Sequence, residues 1–199
     1  MTHPLIYLAS ASPRRSELLR QIGVAHEVRA VTVDESVRGG EAPVEYVLRL
    51  AEEKARVLWA RLPGDRRLPV LAADTTVAVE GEVFGKPGDH AEAVAMLSRL
   101  SGRTHQVHTA VAVVHAGGEA ARVSSSSVSL REITRPEMDW YWQTGEPADK
   151  AGGYAVQGRA AIFIRHIAGS YSGVMGLPLF ETWELLSSVP GLTVEGVPA

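Results

Sequence analysis

Two adjacent arginines near the beginning of this sequence stand where they could bind a phosphate group. In the segment LASASPRRSELL (8–19), Arg14 and Arg15 follow Ser12 and Pro13. Ser12 is a typical helix N-cap and Pro13 suits the first helical position, so the first helical turn is predicted to carry both arginines. Cations are disfavoured there by about 0.3–1 kcal/mol each, whereas anions are favoured. The pattern therefore indicates an anion beside Ser12, Arg14 and Arg15, with the arginine forks matching phosphate oxygens.

Two carboxylates are candidates for proton transfer. Asp74 ends the apolar segment PVLAAD (69–74), and Glu35 lies in an acidic loop after a predicted strand. Burial at a strand end would raise the pKa of Asp74 unless cations or a metal ion oppose it. Each residue also has a simpler interpretation. Asp74 could be a turn former that ends its strand, and Glu35 a solvated loop residue.

The lysines are rare enough to be informative. Of 20 basic residues, 17 are arginine and three are lysine (Lys54, Lys86 and Lys150), and there is no asparagine. Codon bias or heat adaptation explains such a composition. Under either explanation, a remaining lysine indicates a site where the planar guanidinium cannot replace a compact ammonium. We therefore expect Lys54→Arg and Lys86→Arg to cost activity although the charge is kept.

Neither of the first two lysines belongs to a Walker-type phosphate loop. Lys54 lies at the edge of an apolar helical stripe, where a snorkelling side chain is the simpler interpretation. Lys86 lies in GEVFGKP (81–87), whose glycine spacing and final proline exclude a Walker-type phosphate loop. His105 and His108 would point to opposite faces of a strand, which disfavours joint metal ligation. As a set, the cations and the two carboxylates fit a polyphosphate held with Mg²⁺.

The elements that must position these residues follow from hydrophobic periodicity. Strands and helices alternate early and an antiparallel hairpin follows, so we predict an α/β fold with a mixed sheet and flanking helices. The predicted strands are 5–9, 26–31, 69–74, a hairpin of 75–79 with 83–84, a long hairpin over 107–130, and 162–167. The predicted helices are 13–22, 43–61, one capped by Asp89 that ends at Leu100, 135–143 and 179–188.

Length and composition restrict the class of protein. A chain of 199 residues predicts one domain, 1–199. It has no apolar run of membrane-spanning length, no recognisable secretion signal and no cysteine, which fits a cytoplasmic protein without a membrane partner. A net charge of −3 gives no reason to expect a nucleic-acid polymer as partner.

With these residues described, the sequence resembles the Maf family of nucleoside triphosphate pyrophosphatases over nearly its whole length. The resemblance rests on a series of motifs in one order. They are LASASPRRSELL, VDE (33–35), EEKA (52–55), AADT (72–75), GKP (85–87), LSGRTHQVHTA (100–110), DKAGGYAVQG (149–158) and GLPL (176–179). All three lysines fall inside these motifs.

The resemblance implies a fold, an activity and residue roles. The fold would be a twisted mixed sheet with two lobes around a central cleft, as in inosine triphosphatases. The activity would be hydrolysis of a nucleoside triphosphate to a monophosphate and pyrophosphate with Mg or Mn, by a homodimer. Asp74 would accept the proton of the attacking water, Glu35 and Asp74 would hold the metal, and Arg15, Lys54 and Lys86 would complete the phosphate site.

The family's branches differ at identifiable positions. The 7-methyl-GTP branch has an extra residue before the arginine pair, Gln after the catalytic Asp, and Ser-Glu in place of Val156-Gln157. Here Arg14 follows Pro13 directly, Thr75 follows Asp74, and Gln157 is present. This pattern resembles the branch that removes dTTP, UTP and modified pyrimidine triphosphates from the nucleotide pool. Arg14, Thr75 and Gln157 are then substrate-binding residues, and the amide of Gln157 matches a uracil or thymine edge.

Three alternatives remain open from the sequence. The first is the same enzyme with another base preference, such as 7-methyl-GTP. The second is a non-catalytic nucleotide-binding regulator of cell division, which would leave Asp74 and the lysines without a task. The third is a nucleotidyltransferase, which would favour glycines where Ala9, Ala11 and Ser12 stand.

Overall fold

A seven-stranded mixed sheet organises the molecule. The computed structural model describes residues 5–64 and 67–194. The strands are β1 Ile6–Leu8, β2 His26–Val28, β3 Val70–Val79, β4 Glu82–Phe84, β5 Thr104–His115, β6 Gly118–Leu130 and β7 Ile164–Ala168. Their order is β2-β1-β3-β5-β6-β7, and β4 also pairs with β3. The pairs of β1 with β2 and β3 are parallel, and the others are antiparallel. The predicted α/β fold with a mixed sheet is confirmed.

Six helices flank the sheet in the described part of the chain. They are α1 Pro13–Gln21, α2 Pro43–Arg61, α3 His90–Leu100, α4 Arg135–Gln143, α5 Tyr171–Met175 and α6 Leu179–Ser187. Helix α3 illustrates how local sequence determines where a helix begins. The carboxylate of Asp89 accepts a hydrogen bond from the backbone N of Glu92 (2.9 Å) and caps the helix. None of the described helices has the length and apolar character needed to cross a membrane.

Alternation along β3 divides the core into three clusters. Leu71 and Ala73 pack on one face with α1 and α6, and Val77, farther along the same face, packs with α3 and α4. Val70 and Ala72 point to the opposite face and pack under α2. One long strand therefore contributes core residues to two lobes, one that contains α1, α2 and α6 and one that contains α3 and α4. The space between these two lobes is a cleft across the sheet.

The pairing of β3 explains where this cleft opens. On one edge, β1 pairs with β3 at Val70 and Leu71, and β4 pairs with it from Val77 onward. On the other edge, β5 pairs with β3 continuously from Val70 to Ala78. The segment 72–76 therefore lies between two neighbouring strands on its open edge. Asp74 and Thr75 lie in this gap, on opposite faces of the strand.

The structure corrects several predicted boundaries. The predicted break after Asp74 is wrong, because β5 pairs across it and keeps β3 continuous. Strand β2 ends at Val28 rather than at residue 31, and β7 begins at Ile164 because 159–163 forms a 3-10 turn. Helix α5 and the 3-10 turns between residues 146 and 163 were not predicted. The predicted domain 1–199 also includes residues 1–4, 65–66 and 195–199, which lie outside the described part.

Candidate active site

A charged cleft of about 580 Å³ lies at the gap in the sheet. This volume falls in the range of about 300–1,000 Å³ typical of small-molecule sites. The loop after β1, the middle of β3, the loop after β4 and the segments 149–157 and 174–176 line the cleft. Five cations and three carboxylates stand among the described lining residues. They are Arg14, Arg15, Lys54, Lys86 and Lys150, with Glu35, Asp74 and Asp149.

Lys54 connects the two predicted carboxylates. Its Nζ donates hydrogen bonds to Glu35 Oε1 at 2.6 Å and to Asp74 Oδ1 at 2.7 Å. Lys54 and Asp74 are each only 8% exposed, so this ammonium points into the protein and not toward solvent. The snorkelling interpretation of Lys54 is therefore wrong. Helix α2 therefore places a buried cation beside the middle of the gap along β3.

Glu35 stays ionised in this environment. Partial burial acts to raise the pKa of Glu35, but the hydrogen bond from Lys54 and the charges of Lys54, Lys86 and Arg15 outweigh it, so the pKa lies below its ordinary value. The hydroxyl of Tyr46 donates to the backbone oxygen of Glu35 (2.9 Å) and anchors the loop. Burial, together with the negative charges of Asp74 and Glu35, raises the pKa of Tyr46 to about 12, so this hydroxyl remains a donor at neutral pH.

Arg15 is held by the protein itself. It donates to the backbone oxygen of Gly176 (2.8 Å), to Ser10 Oγ (3.0 Å) and to Thr75 Oγ1 (3.2 Å). Desolvation by burial lowers the pKa of Arg15, and the carboxylate of Asp74 opposes that shift. The unfavourable position of Arg15 at a helix N-terminus predicts that Arg15→Ala weakens substrate use strongly but leaves thermal stability without ligand unchanged or slightly raised. These three hydrogen bonds argue against the stability part of that prediction, since Arg15 joins the loop after β1 to β3 and to Gly176, which follows α5.

Ser12 and Arg14 fit the sequence prediction better. Ser12 occupies the N-cap position of α1, but its hydroxyl makes no capping hydrogen bond there. Its backbone N donates instead to Ser10 Oγ (3.2 Å). Among the described residues no hydrogen bond involves the Arg14 side chain, which lines the cleft beside Asp149. The Ser12 hydroxyl and the Arg14 guanidinium are therefore available to a ligand.

We expect the two arginines to differ in stability tests. Arg15→Ala should lower the free energy of unfolding by about 1–3 kcal/mol, since it removes donors from three part-buried hydrogen bonds. For a chain of this size, that loss corresponds to a drop in Tm of about 2–12 °C in thermal unfolding without ligand. Arg14→Ala is the matched control and should leave Tm within about 1 °C, because surface substitutions usually change little. Equal Tm values for both variants would contradict the structural role of Arg15.

The remaining predicted residues line the same cleft from three directions. Thr75 Oγ1 lies 3.0 Å from Thr109 Oγ1, on the face of β3 opposite Asp74. Lys86 is exposed in the loop after β4, where the backbone N of Gly152 donates to Gly85 O (2.9 Å). Gln157 is exposed in the segment that follows the 3-10 turns. The structure thus brings all nine predicted site residues to one cavity.

Sequence reasoning missed some lining residues. Asp149 and Lys150 form an ion pair at the cleft wall. The scarcity of lysine was a signal for Lys150, although no role followed from it. Tyr46 and Ser10 gave no signal, because their contacts to Glu35 and Arg15 depend on the tertiary fold.

The carboxylates fit a divalent cation. The hydrogen bonds from Lys54 use Oε1 of Glu35 and Oδ1 of Asp74. In residues 5–64 and 67–194, the second oxygen of each carboxylate has no such bond, and no group of three or more His, Cys, Asp or Glu side chains forms a metal cage. Two carboxylates are what Mg²⁺ takes when substrate phosphates supply other ligands. His105 and His108 lie on opposite faces of β5, bonded to Tyr154 and Ser125.

Fold and site together define a two-lobed α/β protein with a charged cleft across a mixed sheet. The family described as Maf-like protein matches residues 5–189, and the chain belongs to this Maf family. A dTTP/UTP pyrophosphatase from Bordetella avium is 53% identical over 189 residues, covering 92% of this chain and 94% of the relative. A dTTP/UTP pyrophosphatase from Methylobacillus flagellatus is 52% identical over 191 residues, covering 96% of this chain and 95% of the relative.

Two solved structures have more distant similarity. A nucleoside-triphosphatase, or dITP/XTP pyrophosphatase, from Mycobacterium abscessus is 22% identical with a TM-score of 0.40. The match covers 63% of this chain and 73% of that chain. The Ham1 protein of Staphylococcus aureus is 19% identical with a TM-score of 0.43, and the match covers 65% and 71% of the two chains.

Proposed function

We propose that this protein hydrolyses nucleoside triphosphates at the bond between the α- and β-phosphates. The bridge from Lys54 to Glu35 and Asp74, set among the cleft's arginines and lysines, is the observation that carries the proposal. One water molecule is consumed, and the products are a nucleoside monophosphate and pyrophosphate. The names of the relatives from Bordetella avium and Methylobacillus flagellatus support this activity. The test is stoichiometric release of monophosphate and pyrophosphate by the purified protein.

Six of the charged groups in the cleft have a task in this reaction. The carboxylate of Asp74 accepts the proton of the attacking water, and the hydrogen bond from Lys54 holds this carboxylate in position. Arg14, Arg15 and Lys86 bind the triphosphate and balance the charge that develops on the leaving pyrophosphate. Glu35 and Asp74 are the carboxylates that would hold Mg²⁺ or Mn²⁺. The bound metal would polarise the phosphoryl oxygens and neutralise their charge.

The proposed function includes a preference for particular bases in the nucleoside triphosphate. We propose UTP, dTTP and modified pyrimidine triphosphates as substrates, because the amide of Gln157 can both donate to and accept from a pyrimidine edge. The value of kcat/KM for UTP and dTTP should exceed that for ATP and GTP by at least about tenfold, since a mismatched base leaves polar groups unpaired. The thymine methyl should matter little, because thymine and uracil present the same carbonyl and N3–H groups to the amide of Gln157.

A substrate panel with Mg²⁺ and Mn²⁺ measures this preference, and Gln157→Glu is the informative variant. The carboxylate cannot donate a hydrogen bond when ionised, so the preference for UTP over ATP should fall. Equal rates on all four ribonucleotides would contradict the pyrimidine assignment. So would a preference for 7-methyl-GTP, although the pyrophosphatase activity itself would stand.

The other proposals concern the state of the protein. We propose a single domain over 1–199, a homodimer and a cytoplasmic location, with no membrane or nucleic-acid polymer as partner. A purely regulatory role in cell division is a weaker candidate, because a nucleotide-binding regulator has no use for a water-activating carboxylate at Asp74. Absence of pyrophosphate release with every triphosphate would favour that role.

A further inference from the structure

A hydrogen-bonded pair outside the cleft holds the segment that carries Gln157. The hydroxyl of Tyr141, in α4, donates to Glu146 Oε1 (2.6 Å) and accepts from the backbone N of Ala155 (3.1 Å). Glu146 also accepts from the backbone N of Arg159 (3.0 Å) and of Ala160. Ala155 and Arg159 stand two residues before and two residues after Gln157. We call Tyr141 and Glu146 the Tyr–Glu clamp.

The clamp and the segment fit closely. A Cβ atom built on Gly158 would overlap the Glu146 carboxylate, so any larger residue at this position would displace the carboxylate from the backbone that it binds. Burial, reinforced by the hydrogen bond to Glu146, raises the pKa of Tyr141, which keeps its hydroxyl protonated as a donor. These contacts fix the backbone on both sides of Gln157, while the Gln157 side chain faces the cleft.

The tyrosine does not itself reach a ligand. Tyr141 is fully buried, and it does not belong to the cleft lining. Its ring packs edge-on against Phe163 with centroids 5.6 Å apart, so a phenylalanine in its place keeps the same apolar contact. Tyr141→Phe therefore removes the hydroxyl and both of its hydrogen bonds with little change in packing.

We propose that the Tyr–Glu clamp is a positioning device that sets base selectivity by holding Gln157. This inference rests on the proposed function, in which Gln157 contacts the base. With the clamp intact, the backbone that carries the Gln157 amide is ordered before the nucleotide arrives, so binding does not have to order it. Loss of the clamp should weaken recognition of the base, whereas Lys54 and Asp74 belong to other elements and keep their geometry.

Steady-state kinetics of Tyr141→Phe test the positioning role. The KM for UTP should rise about tenfold, because a buried hydrogen-bonded group loses its partners and the loop loses its order. The value of kcat should stay within about twofold, and the preference for UTP over ATP should fall by at least about threefold. Glu146→Gln, whose amide cannot accept from all three donors, should change KM and the preference in the same direction.

Ser101→Ala is the matched control for lost stability. Ser101 Oγ accepts from the backbone N of Ile133 (2.7 Å) in the same lobe, away from the cleft. It should lower Tm without changing the preference for UTP over ATP. If Tyr141→Phe keeps the wild-type preference, or if Ser101→Ala changes it equally, the inference is overturned.

A spectrum of the ligand-free protein provides a readout that needs no turnover. The sequence has four glutamines (Gln21, Gln106, Gln143 and Gln157) and no asparagine, so a ¹H–¹⁵N spectrum contains four side-chain amide pairs. Gln157→Glu identifies the Gln157 pair. Tyr141→Phe should shift or broaden that pair and leave the other three in place. An unchanged Gln157 pair overturns the clamp, and a wild-type protein inactive on every triphosphate overturns the proposed function instead.

Discussion

Asp74→Asn is expected to lower kcat by about 10²–10⁴-fold, the range that a positioned general base contributes. The amide has the same size as the carboxylate and can still accept a hydrogen bond from Lys54. It cannot take up the proton of the attacking water, and it is a much weaker metal ligand than a carboxylate. Both effects act on the chemical step, so kcat should change far more than KM.

The measurement needs a control that removes a carboxylate from the same cleft. Asp149→Asn serves this purpose, because Asp149 is exposed and pairs with Lys150 at the cleft wall. We expect it to cost less than about tenfold in kcat, since exposed ion pairs contribute little. Circular dichroism should show both variants folded. If Asp74→Asn keeps more than about a tenth of the wild-type kcat, Asp74 is not the base.

Local sequence was sufficient to predict the regular elements. The apolar stripe of 43–61 predicts α2 with its observed bounds, and the same holds for α4 over 135–143. The short 3-10 turns and α5 lie in a segment rich in glycine and alanine, where periodicity carries no signal. The sequence also failed to predict that β3 continues through Asp74. A polar residue after an apolar run indicates the end of a strand, but here the pairing with β5, which depends on the tertiary fold, keeps the strand continuous.

The site was predictable as a set of residues but not as a geometry. Charge type and helix-cap chemistry singled out Arg15, yet its three hydrogen bonds join segments far apart in sequence, up to Gly176. Helical periodicity placed Lys54 at the edge of the apolar face. It could not show that Glu35 and Asp74, 19 and 20 residues away on either side, converge on its Nζ. Side-chain direction at such an edge depends on partners from distant segments.

This geometry separates two lysines that the sequence treats alike. Lys86 is exposed on the rim of the cleft, where a guanidinium has room and can still reach a phosphate. Lys86→Arg is therefore expected to keep most of the activity, with a loss below about tenfold in kcat/KM. The sequence alone predicts that Lys86→Arg costs activity, and the exposed position of Lys86 makes the expected loss of activity a small one.

Lys54→Arg is expected to lower kcat by about 100-fold, although it keeps the charge. The ammonium of Lys54 lies 2.6 Å from Glu35 and 2.7 Å from Asp74 in a position that is only 8% exposed. A planar fork is longer and wider than an ammonium, so it must push the carboxylates apart or pair with only one of them. A displacement of about 1 Å in a reacting group costs about 10²-fold in rate.

Comparing Lys54→Arg with Lys86→Arg in one assay isolates shape from charge, because both substitutions keep a cation in the cleft. A large loss at 54 with a small loss at 86 is the expected outcome. The Tm of Lys54→Arg should also fall, since overpacking a buried site costs about 1–3 kcal/mol. Wild-type kcat in Lys54→Arg would mean that a diffuse positive charge is enough to hold Glu35 and Asp74. The short contacts to Nζ would then have no catalytic purpose, and codon bias alone would explain the scarcity of lysine.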